Sequence, residues 1–275
     1  MATCYRHPGR ETAVSCSNCG RPICPDCMTT SPVGMRCPEC ARHTTPVRTI
    51  RQVRPTGYQV TLALIAINVA AFVGEGGGVF TLTGAPGSSW LLSHGWLAAG
   101  YIQVNHDYWR LVTSAFLHAD LLHILSNMYV LYWVGRLLEP AIGRRRFIGT
   151  YFAGLFAGSF GVIIASPNVV TIGASGAIFG LLGAAFTEAQ RRGVDQVRNQ
   201  LVILIVFNLI LTLSLPGISI GAHVGGLIGG GLATLGFNQG DRMRSQAVGW
   251  SACIAIMVVS IGAAIYLADH TKLPF

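Results

Sequence analysis

The sequence predicts an all-α polytopic membrane protein with a small, separately folded N-terminal region, and three observations carry that expectation. Of its 275 residues 51% are hydrophobic and only 11% charged, less than half the roughly 25% charged share of a soluble domain. Apolar runs recur at about 59–79, 111–138, 147–165, 175–190, 200–215, 219–237 and 247–268, most of them near the ~20 residues that cross hydrocarbon as a helix. Seven of the eight cysteines lie in the first forty residues, and the eighth, Cys253, stands alone in the last apolar run. Four parts follow: a module at 1–43, a basic linker at 44–57, a six-helix core at 58–240, and a seventh helix with a short tail at 241–275.

The N-terminal module carries four pairs of ligands with two residues between partners: Cys4 and His7, Cys16 and Cys19, Cys24 and Cys27, Cys37 and Cys40. Such a turn places two soft donors on one cation, so eight donors in four pairs imply two tetrahedral zinc sites. A disulfide framework has no use for His7 in register with the cysteines, and a reducing cytosol favours metal. The short gap between the second and third pairs suggests a cross-brace, with Cys4, His7, Cys24 and Cys27 on one ion and Cys16, Cys19, Cys37 and Cys40 on the other; sequential pairing remains open. In spacing the segment resembles a B-box zinc finger, although the later ligands of that family are often His. His43 is a spare donor. Four ligands per ion close the coordination sphere, so both zincs read as structural, with no catalytic metal, and the resemblance implies a protein partner for the module.

Orientation follows from Lys and Arg, which collect on the cytoplasmic side of membrane helices. With the N-terminus inside, the inner segments hold Arg42, Arg48, Arg51 and Arg54, then Arg136 and Arg144 to Arg146, then Arg191, Arg192 and Arg198, then Arg242 and Arg244; the outer segments hold only Arg110 and Lys272. This distribution accounts for the balance of 19 basic against 11 acidic residues without a nucleic-acid partner, which would need the charge clustered on one folded face. No apolar core or cleavage site follows the first residues, so no signal peptide is expected, and the plasma membrane is the expected location. The loop at about 80–108 falls outside, where Trp90, Trp96, Tyr101 and Trp109 suit the headgroup level. The C-terminus falls outside too.

Chemistry gathers at the outer ends of three helices. The fourth opens with Gly173-Ala174-Ser175-Gly176 and the sixth with Gly221-Ala222-His223, both running inward, so Ser175 and His223 share a depth, as an imidazole that activates a hydroxyl must. Gly176, Gly180, Gly183 and Ala184 on the fourth helix, and Gly221, Gly225 and Gly229 or Gly226 and Gly230 on the sixth, would let the backbones approach. Ser175 could also serve merely as a helix cap. His118, His123 and Asn127 are placed in the second helix, His123 and Asn127 on one face by their i, i+4 spacing. Polar groups are costly within a membrane and mark function; His123 and Asn127 suit a developing oxyanion, alongside the Ser175 backbone N–H. Metal binding by the two histidines lacks a ligand set.

Taken in order, Trp109-Arg110, His118, His123 and Asn127, Gly-Ala-Ser175-Gly, and Ala222-His223 followed by Gly226 resemble the motifs of the rhomboid intramembrane serine proteases over about 58–240. The resemblance implies a six-helix bundle, here with an additional seventh helix, and an endopeptidase acting in or near transmembrane segments of membrane proteins within the lipid bilayer. It implies a dyad of Ser175 as nucleophile and His223 as base and then acid, without an acidic third member. His123, Asn127 and the Ser175 backbone would hold the oxyanion. Gly173, Gly176 and His118 would support the site, His118 as a structural residue. One turn after the serine the family often has Tyr, stacked on the imidazole; this chain has Phe179, which keeps the stacking and loses the hydroxyl. A catalytically inactive rhomboid-like protein that binds or routes membrane proteins is the alternative, and retention of the serine, the histidine and the oxyanion donors speaks against it.

Overall fold

The computed structural model describes residues 2–31, 34–42, 57–76, 89–214 and 217–272, and within them all of the site residues named above. His43, the linker at 44–56, the beginning of the outer loop at 80–88 and the last tail residues, 273–275, lie outside the described residues. The chain divides into two compact units, Met1–Arg54 and Pro55–Phe275.

The first unit is built from two short antiparallel ribbons, β1 (Ala2–Thr3) with β2 (Glu11–Thr12) and β3 (Thr29–Ser31) with β4 (Gly34–Arg36), followed by a one-turn helix α1 (Pro38–Arg42). Its buried apolar cluster consists of Ile23 and five cysteines, Cys4, Cys16, Cys24, Cys27 and Cys37. A unit this small with one buried aliphatic residue in its cluster falls well short of the apolar burial that holds a domain together, which is the situation in which small folds rely on metal or disulfides.

The second unit is all helical: α2 (Gln59–Gly74), the short helices α3 (Trp90–Gly95), α4 (Ala99–Asn105) and α5 (Arg110–Thr113), and then α6 (Leu121–Ile142), α7 (Arg144–Ala165), α8 (Ser175–Arg192), α9 (Asp195–Ser214), α10 (Ile220–Arg242) and α11 (Gln246–Asp269). Five of these are long and apolar enough to cross a membrane, and α2 is a shorter apolar helix. The chain is an all-α polytopic membrane protein. Seven helices, α2 and α6 to α11, correspond to the seven apolar runs, but the second run is broken. After α5 a 3-10 turn at Ser114–Phe116 leads into an extended Leu117, and Asp120 then caps α6 by accepting the backbone N–H of His123 at 2.8 Å. His118 therefore stands in the loop before α6, not in the helix, because the aspartate starts a new helix two residues later.

Helix α7 is the hub: 72% of its apolar window is buried inside the bundle, against 22% for α11 and 11% for α9. It packs against α10, α8 and α11, and its interfaces with α10 and α8 are made of backbone. A Cβ on Gly226 would overlap the Gly176 carbonyl, and one on Gly230 would overlap that of Gly180; a Cβ on Gly221 or Gly225 would strike the backbone of Gly161 or Ala157. Of the two stripes on α10, Gly226 and Gly230 thus face α8, while Gly221, Gly225 and Gly229 face α7. Without water between helices there is little hydrophobic drive, so such close approach is what lets dispersion hold them together.

Two buried charges fix the periphery. Glu139 of α6 accepts the backbone N–H groups of Val60 at 3.0 Å and Thr61 at 2.8 Å, and the Thr61 hydroxyl at 2.8 Å, so a carboxylate satisfies orphan donors of the first turn of α2. Arg110 donates to Asp107 at 2.8 Å and to the carbonyls of Ser93 and Trp96 at 3.0 Å each, with its guanidinium over the Tyr101 ring. The short helices α3, α4 and α5 are therefore tied to one side chain. At the opposite end the arginines collect: Arg146 pairs with Asp241, Arg191 and Arg192 with Glu188, and Arg192 also donates to the Ala141 carbonyl at 2.7 Å.

Candidate functional site

Ser175 is the first residue of α8, and the turn before it is shaped by Gly173. At φ 121° Gly173 occupies a conformation open to glycine, and its N–H is held by the Ser114 carbonyl at 2.8 Å. An ideal Cβ there would lie 2.7 Å from His123 Nε2 and 3.9 Å from Ser175 Oγ. The imidazole of His123 and the hydroxyl of Ser175 thus converge on one point beside Gly173. The first hydrogen bond of α8 is Ile178 N–H to the Ala174 carbonyl, so the N–H groups of Ser175 to Ala177 have no intrahelical acceptor and carry the positive end of the helix.

His223 lies in the first turn of α10, which Ser219 caps by accepting the Ala222 N–H at 3.2 Å. Its ring is stacked on Phe179, with centroids 4.1 Å apart and planes 11° from parallel. Below it Gly176 packs against Ala222 and Gly226, which brings the two helix starts together. The two ring nitrogens differ. Nδ1 meets the Thr212 hydroxyl of α9 at 2.7 Å, whereas Nε2 is buried with no partner. A hydrogen bond from Ser175 to His223 is accordingly not formed.

His123 receives the Ala119 N–H on Nδ1 at 3.4 Å and lies edge-on to His118, centroids 5.0 Å apart. Asn127, one turn on, donates from its amide to the His123 carbonyl at 3.1 Å, leaving one amide proton. His118 is fully buried, its ring nitrogens both without a partner, and its backbone N–H donates to Glu75 at 3.3 Å; Glu75 is itself buried with Oε1 unpartnered. So Ser175, His123, Phe179, His223, Gly173 and Gly176 are gathered at one end of the bundle, with Asn127 and His118 beside them. Glu75 and Thr212 are unforeseen neighbours. An acidic residue at the end of an apolar run is a signal that points to Glu75; Thr212 has none.

In the first unit the eight predicted donors fall into two groups, Cys4, His7, Cys24, Cys27 and Cys16, Cys19, Cys37, Cys40, within each of which the ligand atoms lie within 4.8 Å of one another. This is the cross-braced grouping. A tetrahedron with bonds of about 2.0–2.3 Å has edges of about 3.5–3.8 Å, and His7 Nδ1 lies 3.3 Å from Cys24 Sγ, 3.4 Å from Cys27 Sγ and 3.9 Å from Cys4 Sγ, while Cys19 and Cys37 are 3.8 Å apart. Backbone N–H groups of Cys37 and Cys40 reach the sulfurs of Cys16 and Cys37, at 3.3 and 3.4 Å. Burial, reinforced by the adjacent Cys4 and Cys24, pushes the Cys27 thiol up to about 11; a dication at the centre of the group would offset that repulsion. The residues fit metal ions.

The Rhomboid domain family matches residues 105–240, which contains α6 to α9, all but the last two residues of α10, and every residue of the Ser175 and His223 site except Glu75. RHOMBOID-like protein 7 of Arabidopsis thaliana is 37% identical over 159 residues, 55% of this chain and 49% of that protein. Rhomboid protease GluP of Bacillus subtilis (strain 168) is 30% identical over 171 residues, 60% of this chain and 34% of that protein. Inactive RHOMBOID-like protein 8 of Arabidopsis thaliana is 32% identical over 148 residues, 52% of this chain and 42% of that protein. The chain spans no more than half the length of these three relatives.

Proposed function

We propose that this chain, which belongs to the rhomboid family, is an intramembrane serine endopeptidase in which Ser175 is the nucleophile and His223 the general base. The observation that carries the reading is the buried, unpartnered Nε2 of His223, on a ring clamped flat against Phe179, at the same end of the bundle as Ser175 and His123. A buried acceptor without a donor is costly unless something completes it, and a seated substrate with the Ser175 hydroxyl turned inward would do so; catalytic hydrogen bonds often close only in the substrate complex.

In the proposed mechanism Ser175 Oγ attacks the scissile carbonyl of a substrate transmembrane segment as Nε2 of His223 takes its proton. The oxyanion is met by the N–H of Ser175, by His123 and by the free amide proton of Asn127. The imidazolium then protonates the leaving amine, and water, activated by the neutral imidazole, hydrolyses the acyl-enzyme. Arginines at the far end of the bundle support a cytoplasmic N-terminus, a site near the outer face of the plasma membrane, and an outer C-terminus. The paired clusters of the first unit would each hold one zinc, which supplies folding energy and takes no part in hydrolysis; the module is a candidate docking element for a protein partner.

The test is labelling by a serine-reactive probe together with cleavage of a co-expressed single-span substrate. Both signals should vanish in Ser175→Ala and in His223→Ala; cleavage that persists in either variant would overturn the assignment. The open Ser175 to His223 contact and the similarity to a relative named inactive favour a second reading, a member that binds membrane proteins without cutting them. It predicts no labelling of the wild-type chain while the substrate co-purifies with it.

A further inference from the structure

Helix α9 is the least buried of the spanning helices, and only two of its residues, Leu201 and Thr212, are buried. Threonine hydroxyls in apolar helices ordinarily return their proton to the carbonyl one turn back, and Thr212 does so, donating to Asn208 at 2.8 Å. What that habit leaves unexplained is the second contact, 2.7 Å from the same hydroxyl oxygen to Nδ1 of His223.

A hydroxyl has one proton. Both contacts are hydrogen bonds at once only if that proton goes to the Asn208 carbonyl, which cannot donate, and the oxygen accepts from His223; in that arrangement Nδ1 carries the ring proton and Nε2 is left as the lone pair. Nε2 is the nitrogen found buried without a partner. We propose that Thr212 is a positioning residue for His223: its hydroxyl, polarised by Asn208, selects the tautomer whose free nitrogen can receive the Ser175 proton. The inference rests on the protease reading above. It also gives Phe179 a complement, because stacking fixes the plane of the ring but not its rotation within that plane, and one in-plane hydrogen bond fixes the rotation. When Nε2 takes the Ser175 proton, Nδ1–H stays in place and donates to the Thr212 oxygen from an imidazolium, a stronger bond than before the transfer; no proton passes to Thr212.

The test uses the full chain in detergent micelles or vesicles with a single-span substrate. Thr212→Val keeps the shape and removes the acceptor, and Thr212→Ser restores it. Turnover in Thr212→Val should fall at least about tenfold, the worth of one lost hydrogen bond in the transition state, with KM little changed, and Thr212→Ser should recover most of the loss. In parallel, nitrogen NMR of histidine-labelled protein, with the His223 signal identified by its loss in His223→Gln, reports which ring nitrogen is protonated. The Nδ1–H form is expected in the wild type and a shift toward the other tautomer in Thr212→Val. A wild-type His223 protonated on Nε2, or wild-type turnover in a folded Thr212→Val, overturns the proposal. If the wild type neither labels nor cleaves, the protease reading has failed, and the tautomer alone still decides whether Thr212 sets the state of His223.

Discussion

At Gly173 two constraints meet that no other side chain satisfies: a φ of 121° and an imidazole nitrogen 2.7 Å from where a Cβ would sit. Gly173→Ala should therefore either displace His123 from the point it shares with Ser175 or shift the turn that presents the serine. The expected outcome is a loss of turnover of about a hundredfold or more, in the range assigned to a lost oxyanion donor, with the chain still inserted and folded, as cleavage kinetics and a thermal melt would report. Single residues also show what the sequence makes readable. Ser175, His123 and His223 stand out because a polar group in an apolar run demands a reason. Thr212 does not stand out, because a threonine can satisfy itself within its own helix and leaves no spacing to notice. His118 and His123 read as one helix because the run around them is continuously apolar, and the break depends on the Asp120 side chain turning back onto the His123 N–H.

Among the elements, the contact of α10 with α7 and α8 is the most sensitive to bulk. Gly226→Ala inserts a methyl group into the Gly176 backbone at the level of the site, where overpacking costs typically about 1–3 kcal/mol and a rigid backbone cannot give way as a side chain does. Its melting temperature and turnover should both fall. Gly262→Ala in α11 is the matching control: nothing lies within 4 Å of the added carbon, so stability should be unchanged or rise by up to about 1 kcal/mol from helix propensity. The small-residue stripes of α10 were legible from their four-residue spacing. Which neighbour each stripe serves was not, because both stripes satisfy the same spacing, and only the arrangement of α7 between its partners assigns them. On α7, Gly154 packs against Gly180, Gly158 against Gly176, and Gly161 against Gly221, and these escaped the sequence for a related reason: α7 bears no chemistry that draws attention to its small residues.

For the molecule as a whole, the division into two units predicts separable responses. Treatment with a strong chelator should unfold the first unit, whose buried cluster holds one isoleucine among cysteines, as loss of far-UV structure confined to that segment and as protease sensitivity there. The second unit should keep its melting temperature. Cys16→Ala should likewise leave cleavage of a single-span substrate within about twofold of wild type, since the proposed nucleophile, base and oxyanion donors all lie in the second unit; a collapse of turnover would place the first unit in the catalytic apparatus. The interleaving of the two clusters carries one more consequence. The chain between Cys4-His7 and Cys24-Cys27 contains Cys16 and Cys19, so the first ion to bind closes a loop that already holds half of the other site. Loading should be all-or-none: native mass spectra along a zinc titration would show empty and doubly occupied chains side by side, with singly occupied chains scarce at every point.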